Sequence, residues 1–318
     1  MNHPRSLKVG NSAQKYWFCQ LLSQCAVKAL VLEASLTPKP GLVDQQNQGA
    51  HRDLTHALML QSAWALQPYF LTVALAAYGQ AVTKELWEQL YTIGLGGEKQ
   101  MYQVTGDINT HKGAIWTLGL LVAGTAMGGY RALRAEQIMA QGAALANLSF
   151  AEEGLGLRNT HGQIVTQTYG VLGAKGQAQA GFPHLRQVAR PFLQETKQAG
   201  WDKAKGYLFV LLGLMATLDD TCVLYRGGEA GLHYVQAGAR ELLALDWSTS
   251  VPQKSLYCFD QELINKNISS GGAADLLAAA IYFDLLEGIE KWNNYTTNTQ
   301  ETGFYKNRAM WELWLQGI

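Results

Sequence analysis

Asp219-Asp220 closes the strongly apolar stretch 207–218. Adjacent carboxylates repel one another, so a buried or half-buried pair needs a counter-ion, either a divalent cation such as Mg2+ or the nearby Arg226. A solvated helix end is the plainer alternative, although carboxylates there oppose the helix dipole. Further polar clusters fall at 37–53, 106–113, 159–163 and 267–275, and they draw on few residue types: Asp, His, Lys, Arg, Asn, Ser and Gly. That mixture suits a polyphosphate substrate with a divalent metal. Arginine and lysine neutralise phosphate oxygens, glycines let backbone amides approach, and carboxylates hold Mg2+ directly or through water.

Each cluster has a structural reading beside the chemical one. Lys39, Asp44, His51 and Asp53 surround a loop stiffened by Pro38, Pro40 and Gly41; ordinary turn chemistry would also place the two aspartates there. Asn109 or Thr110 can cap a helix, and His111, Lys112 and Gly113 then open it beside free amides that favour an anion. Alone, this is a capped helix start; repetition of the pattern elsewhere shifts the odds toward an anion-binding role. Arg226-Gly227-Gly228 can hold a phosphate or form a surface turn. Ser269, Gly271 and Gly272 outline a small anion cradle or a plain serine cap, with Asp275 in a first turn that stabilises negative charge anyway. His161 and His184 lie in loop-like surroundings and read as structural or exposed. No GxSxG elbow, phosphate-binding P-loop or GxGxxG fingerprint is present.

The elements that must position these residues are helical. Spacings of three to five predict a helix over 14–36, ending at Thr37-Pro38. Further helices are expected at 54–78 (kinked near Pro68), 83–103, 114–127, 135–148, 184–199, 202–218, 230–244 and 257–265, and a last one opened by 267–275 runs to about 287. Residues 149–182 read as glycine-rich and irregular, 291–303 as a loose Asn/Thr-rich loop, and 308–315 as a short Trp-rich helix. No stretch alternates well enough for a sheet, and no linker or repeat divides the chain. The expectation is one all-α globular domain whose loops and helix ends form one cleft. It comprises a flexible N-terminus at 1–13, a catalytic helical domain at 14–290, and a loop with a C-terminal helix at 291–318.

Composition narrows the function further. The 318 residues carry 25 basic and 25 acidic side chains, so phosphate recognition must be local, and a general nucleic-acid or anionic-membrane binder is disfavoured. Charged residues are only 16% and hydrophobic ones 48%, which implies well-buried helices. Cys19, Cys25, Cys222 and Cys258 show no zinc spacing and read as buried thiols in a reducing compartment. The N-terminus lacks the apolar core of a signal peptide, and the apolar stretches fall short of the ~20 residues a membrane span needs. A soluble cytoplasmic protein is expected.

Six motifs, in order, resemble the triphosphoribosyl-dephospho-CoA synthase family. They are Pro38-Lys39-Pro40-Gly41-Leu42-Val43-Asp44, Gly49-Ala50-His51-Arg52-Asp53, Asn109-Thr110-His111-Lys112-Gly113-Ala114-Ile115, Asp219-Asp220-Thr221, Arg226-Gly227-Gly228 and Gly271-Gly272-Ala273-Ala274-Asp275. Ala178-Gln179-Ala180-Gly181-Phe182-Pro183-His184 and Cys222 after Asp219-Asp220-Thr221 look like the malonate decarboxylase branch rather than the citrate lyase branch. Lys175-Gly176-Gln177 lacks a carboxylate the family usually carries, and Ser270 and Ala274 replace a more usual Pro and Ser.

The resemblance implies that ATP and 3′-dephospho-CoA, with Mg2+, give triphosphoribosyl-dephospho-CoA and adenine. The product is the precursor of an acyl-carrier prosthetic group, so a phosphoribosyl-dephospho-CoA transferase and an acyl carrier protein stand downstream. It places Asp219 and Asp220 at Mg2+ or at an oxocarbenium-like centre, Lys39, His111, Lys112 and Arg226 at phosphates, and Asp44 or Asp53 as base. Two other readings stay open: an all-α Mg2+-dependent hydrolase of ADP-ribose-type glycosides, and a non-enzymatic module that binds an acyl carrier protein.

Overall fold

The computed structural model describes residues 5–129, 134–148 and 160–298, and every element among them is helical. Asn159, the Trp-rich helix expected at 308–315 and the end of the Asn/Thr-rich segment lie outside the described residues. The helices are α1 (Arg5–Ser35), α2 (His56–Ala65), α3 (Gln67–Ala77), α4 (Lys84–Thr105), α5 (Lys112–Met127), α6 (Ala135–Leu148) and α7 (His161–Tyr169). After them come α8 (Gly173–Gln179), a π-helical turn at Leu185–Ala189, α9 (Arg190–Gln198), α10 (Lys203–Thr217), α11 (Thr221–Leu243), α12 (Val251–Asn265) and α13 (Gly271–Asn298).

The fold is built around α5. Its residues from Ala114 to Met127 are buried on nearly every face, as expected for a helix without a polar stripe. It lies against α1, α3, α4, α6 and α13. Burial of Ile115, Leu118, Leu120, Leu121 and Val122 contributes on the order of 10 kcal/mol before the entropy of ordering them is set against it. This helix cannot shift without unpacking the core, so its first turn is a fixed platform. Close approaches at glycines keep its neighbours tight: a Cβ on Gly97 of α4 would fall 2.7 Å from the Tyr69 ring.

Several boundaries depart from the sequence expectation. α1 begins at Arg5, inside the segment expected to be flexible, and α13 runs to Asn298, through half of the expected Asn/Thr-rich loop. In both places continuation of a helix seated on the core outweighs weak local propensity. Within 149–182, expected to be irregular, α7 forms behind a Thr160/Gln163 capping box and α8 follows. The segment 225–229 is no turn: α11 starts at Thr221 and absorbs it, with one break at Gly228, whose φ of 58° and ψ of −162° suit glycine. Pro68 breaks the second predicted helix into α2 and α3. Cys222 and Cys258 are exposed, so only Cys19 and Cys25 are buried thiols. No single helix among the described residues is long and apolar enough to cross a membrane.

Candidate active site

α10 and α11 meet at a 58° bend, and Asp220 is the cap at that corner. Its Oδ1 accepts the amides of Cys222 (2.8 Å) and Val223 (3.4 Å), and its Oδ2 accepts the amide of Ala273 (2.9 Å) in the first turn of α13. The Gly272 amide also donates to it, and the side chain is only 3% exposed. A carboxylate offers about four lone-pair sites, and four amides fill them. Asp220 is therefore the anion held in the cradle predicted at Ser269, Gly271 and Gly272: a protein carboxylate occupies the place expected for phosphate. Gly272 is needed there, since a Cβ would come 3.1 Å from Asp220 Oδ2. Burial pushes its carboxyl above the ordinary range, against the four amides that lower it.

Asp219 is exposed and Asp220 buried, so the two adjacent carboxylates sit in different surroundings. The donor sets of the described residues do not fit a ready-made divalent-cation site, since no three His, Cys, Asp or Glu side chains converge. Mg2+ ordinarily keeps several waters and leans on substrate phosphates.

Behind this corner lies a group of buried charges. Lys39, 1% exposed, donates from Nζ to Oε1 of Glu33 at 2.5 Å. Lys39 is thus spoken for by an acid of α1 and is not a free phosphate ligand. His111 is also buried; burial, with Lys39 nearby, lowers its pKa to about 3. The imidazole is neutral, so it can serve a substrate by hydrogen bonding and not by charge. Its Nδ1 lies 3.0 Å from Ser62 Oγ, which in turn meets Thr110 Oγ1 at 2.6 Å. His111 Nε2 and Ser270 Oγ are buried without a hydrogen-bond partner among the described residues, which is rare for buried polar atoms.

Asp275 completes the group. Its carboxyl lies flush against the start of α5, where a Cβ on Gly113 would collide with Oδ2, and it accepts the Ala114 amide. Burial raises its pKa well above the ordinary value, and the charges of Glu33 and Asp220 push the same way. Among these three acids, Glu33 has Lys39 and Asp220 has four amides. Asp275 has no cation among the described residues.

The outer rim is made by the proline-stiffened loop. Asp44, expected as a candidate base, is 2% exposed and accepts the amides of Lys39 (3.1 Å), Gln46 (2.7 Å) and Asn47 (3.0 Å). It holds the loop, with three amides on its oxygens. Asp260 of α12 fixes the same loop, accepting from the Gly41 amide and Asn47 Nδ2 at 2.9 Å each. Arg226 straps three segments together. Its Nη1 donates to Ala50 O (2.8 Å) and Asn267 Oδ1 (3.1 Å), and its Nη2 to His51 Nδ1 (3.2 Å). Arginine only donates, so Nδ1 accepts and the proton of neutral His51 is on Nε2, donated to Ser269 Oγ at 3.0 Å. Burial, then the Arg226 charge, lowers the His51 pKa to about 4. Gly227 packs on Ile268, and Gly228 supplies the break that follows.

Three expected residues lie outside the buried group. Lys112 pairs with Glu98 of α4 at 2.9 Å, and Asn109 Oδ1 accepts the Lys112 amide at 3.2 Å, as a cap. Asp53 is exposed. Sequence reading missed Glu33, Ser62 and Asp260, and it left Arg52 out of the site although Arg52 is exposed beside His51. Glu33 alone gave a signal: an acid inside the apolar run 26–36 calls for a buried partner. Elsewhere, Gln177 hydrogen-bonds His184 (2.9 Å), whose Nε2 meets Thr217 O (3.2 Å), so His184 supports the helix end before Asp219.

An all-helical body that gathers buried acids, neutral imidazoles and an arginine at several helix starts has the makings of an enzyme for a small polar substrate. The chain belongs to the ATP:dephospho-CoA triphosphoribosyl transferase family, whose model matches residues 19–294. It is 45% identical over 269 residues to a probable 2-(5′′-triphosphoribosyl)-3′-dephosphocoenzyme-A synthase of Pseudomonas savastanoi pv. phaseolicola, covering 84% of this chain and 91% of that one. A protein of the same probable assignment from Azotobacter vinelandii is 44% identical over 264 residues, with 82% and 90% covered. The 2-(5′′-triphosphoribosyl)-3′-dephosphocoenzyme-A synthase of Klebsiella pneumoniae is 41% identical over 275 residues, with 86% and 95% covered. No solved structure matches the chain.

Proposed function

We propose that this transferase moves the 5′-triphosphoribosyl group of ATP onto a ribose hydroxyl of 3′-dephospho-CoA and releases adenine. The observation that carries the reading is the extent of the family match: residues 19–294 include every segment that builds the centre, from Glu33 to Asp275. The bond broken is glycosidic, so the reacting carbon passes through an oxocarbenium-like state while the phosphates stay intact. The site must then hold a triphosphate without activating its anhydride bonds.

Arg226, with its remaining N–H groups, and exposed Arg52 are the phosphate ligands in this reading. His51 and Ser269, fixed by Arg226, hydrogen-bond the substrate as neutral groups. His111 Nε2 and Ser270 Oγ are buried polar atoms that a substrate or an ordered water would satisfy. A divalent cation arriving with the triphosphate finds phosphate oxygens and water as ligands; no step here runs through it. Asp219 and Asp53, both exposed, are the unengaged carboxylates of the rim.

The product is proposed to serve malonate decarboxylase rather than citrate lyase. Support comes from 178–184 and from Cys222 after Thr221. In that segment Phe182 is fully buried at a positive φ of 56° and its ring packs on Gly142, so this stretch shapes the α6–α8 contact. The test is incubation with ATP, magnesium and dephospho-CoA, following adenine by chromatography and the product by mass. Release that depends on dephospho-CoA, with an intact triphosphate in the product, is expected. Adenine or ribose released by water alone indicates a glycoside hydrolase. Deleting the gene and measuring malonate decarboxylase and citrate lyase activity in the cell distinguishes the two branches, with loss of the decarboxylase alone expected.

A further inference from the structure

We propose that Asp275 is the catalytic acid that gives a proton to the departing adenine. The inference rests on the transfer reading above and assigns a step that reading leaves open. Purines are poor leaving groups as anions, and a positioned acid is the usual remedy for a glycosidic bond.

Among the buried carboxyls of the centre, the geometry singles out one. Glu33, on α1, is held by Lys39; Asp220, at the α10–α11 corner, is filled by four amides; Asp44 is consumed by its loop. Asp275 accepts one amide, from Ala114; its residue keeps some exposure while the carboxyl itself lies deep. Gly113 leaves the room its oxygen occupies, so the carboxyl is fixed against the immobile start of α5. The charged or titratable groups around it are Glu33 from α1, Asp220 and Cys222 from the corner, and, further out, Lys39, neutral His111 and Arg226. Two of its near neighbours are acids and the lysine is matched to Glu33, so a second negative charge is disfavoured here. The carboxyl keeps its proton, with burial as the largest cause. A neutral acid pressed against a fixed helix start has both the proton and the placement that the step needs.

The step balances without a further reagent. The acceptor hydroxyl of dephospho-CoA forms the new C1′–O bond, and the C1′–N9 bond breaks with its electron pair leaving on adenine. Asp275 protonates a ring nitrogen of adenine, and the hydroxyl proton, lost as the bond forms, restores the acid directly or through water. Overall, one proton passes from the hydroxyl to adenine.

A paired-substrate assay tests this. Asp275→Asn should lower kcat with ATP by about 10²–10⁴-fold, the usual share of a general acid, with KM for ATP little changed. With an ATP analogue methylated at adenine N7, whose base is already cationic and leaves without a proton, the variant should come within about tenfold of wild type. Wild type alone supplies a second measurement: kcat with ATP should fall as pH rises through the ionisation of Asp275, while kcat with the methylated analogue stays flat. Equal losses on the two substrates, or parallel pH profiles, would overturn the assignment while leaving the transfer reaction intact. A wild-type enzyme that releases no adenine in the presence of dephospho-CoA would instead overturn the transfer reading and this step with it.

Discussion

Replacing Asp220 with alanine removes acceptors from the first turns of α11 and α13 at once. Each lost cap costs about 0.5–2 kcal/mol, so Asp220→Ala should lower unfolding free energy by about 1–4 kcal/mol. An unchanged denaturation midpoint would mean that the carboxylate does not hold the corner. Arg226 and Lys112 should part company in kinetics. Arg226→Ala is expected to raise KM for ATP by about tenfold or more, since it removes a charge-assisted donor. Lys112→Ala, breaking a half-exposed pair with Glu98, should leave KM within about threefold.

The histidines give a signed pH dependence at the same scale. His51 and His111 are held neutral, at about 4 and about 3 against an ordinary 6.5. Their contribution to stability is full above the unfolded value and is lost as pH falls from there through those lowered values. Asp275 works in the opposite direction: its contribution is present below the ordinary aspartate value and is lost as pH rises through its raised one. His111→Gln should therefore shrink the stability difference between about pH 5 and about pH 7 seen in wild type, as read from urea midpoints. Sequence reading found these side chains because polar residues at helix starts and proline loops are conspicuous. It could not tell that backbone amides would claim Asp220 and Asp44, or that Lys39 would turn inward to Glu33.

Helix boundaries were legible wherever a cap or breaker is local. Thr83 and Asp202 each accept an amide of the helix they begin, and Gly106 closes α4 in the left-handed region. The boundaries that failed, at Arg5, at 225–229 and beyond 291, depend on what the helix packs against, which a sequence window does not contain. Glycines mark where elements touch. Gly113→Ala should push α13 from α5 through Asp275 and lower kcat sharply while helical content, followed by circular dichroism, is retained. Gly228→Ala should cost about 1–3 kcal/mol, because its backbone conformation suits glycine. Wild-type stability in either variant would show that the contact or the break relaxes freely.

For the whole molecule, one continuous apolar cluster forms the core, and the buried charges of the site gather where helix starts and one braced loop meet. That arrangement explains how a chain of zero net charge can act on a highly charged substrate: recognition is confined to a rim, and the interior holds matched or neutral groups. Ion pairs elsewhere serve the fold, as where Lys197 of α9 reaches Asp284 of α13 at 2.5 Å and Tyr207 of α10 donates to the same acid at 2.6 Å. The central claim is the transfer of an intact triphosphoribosyl group, and adenine release measured with and without 3′-dephospho-CoA tests it most directly. The account predicts release only when dephospho-CoA is present, with a product heavier by the triphosphoribosyl group. Release at the same rate without dephospho-CoA, or a product lacking its triphosphate, would contradict it.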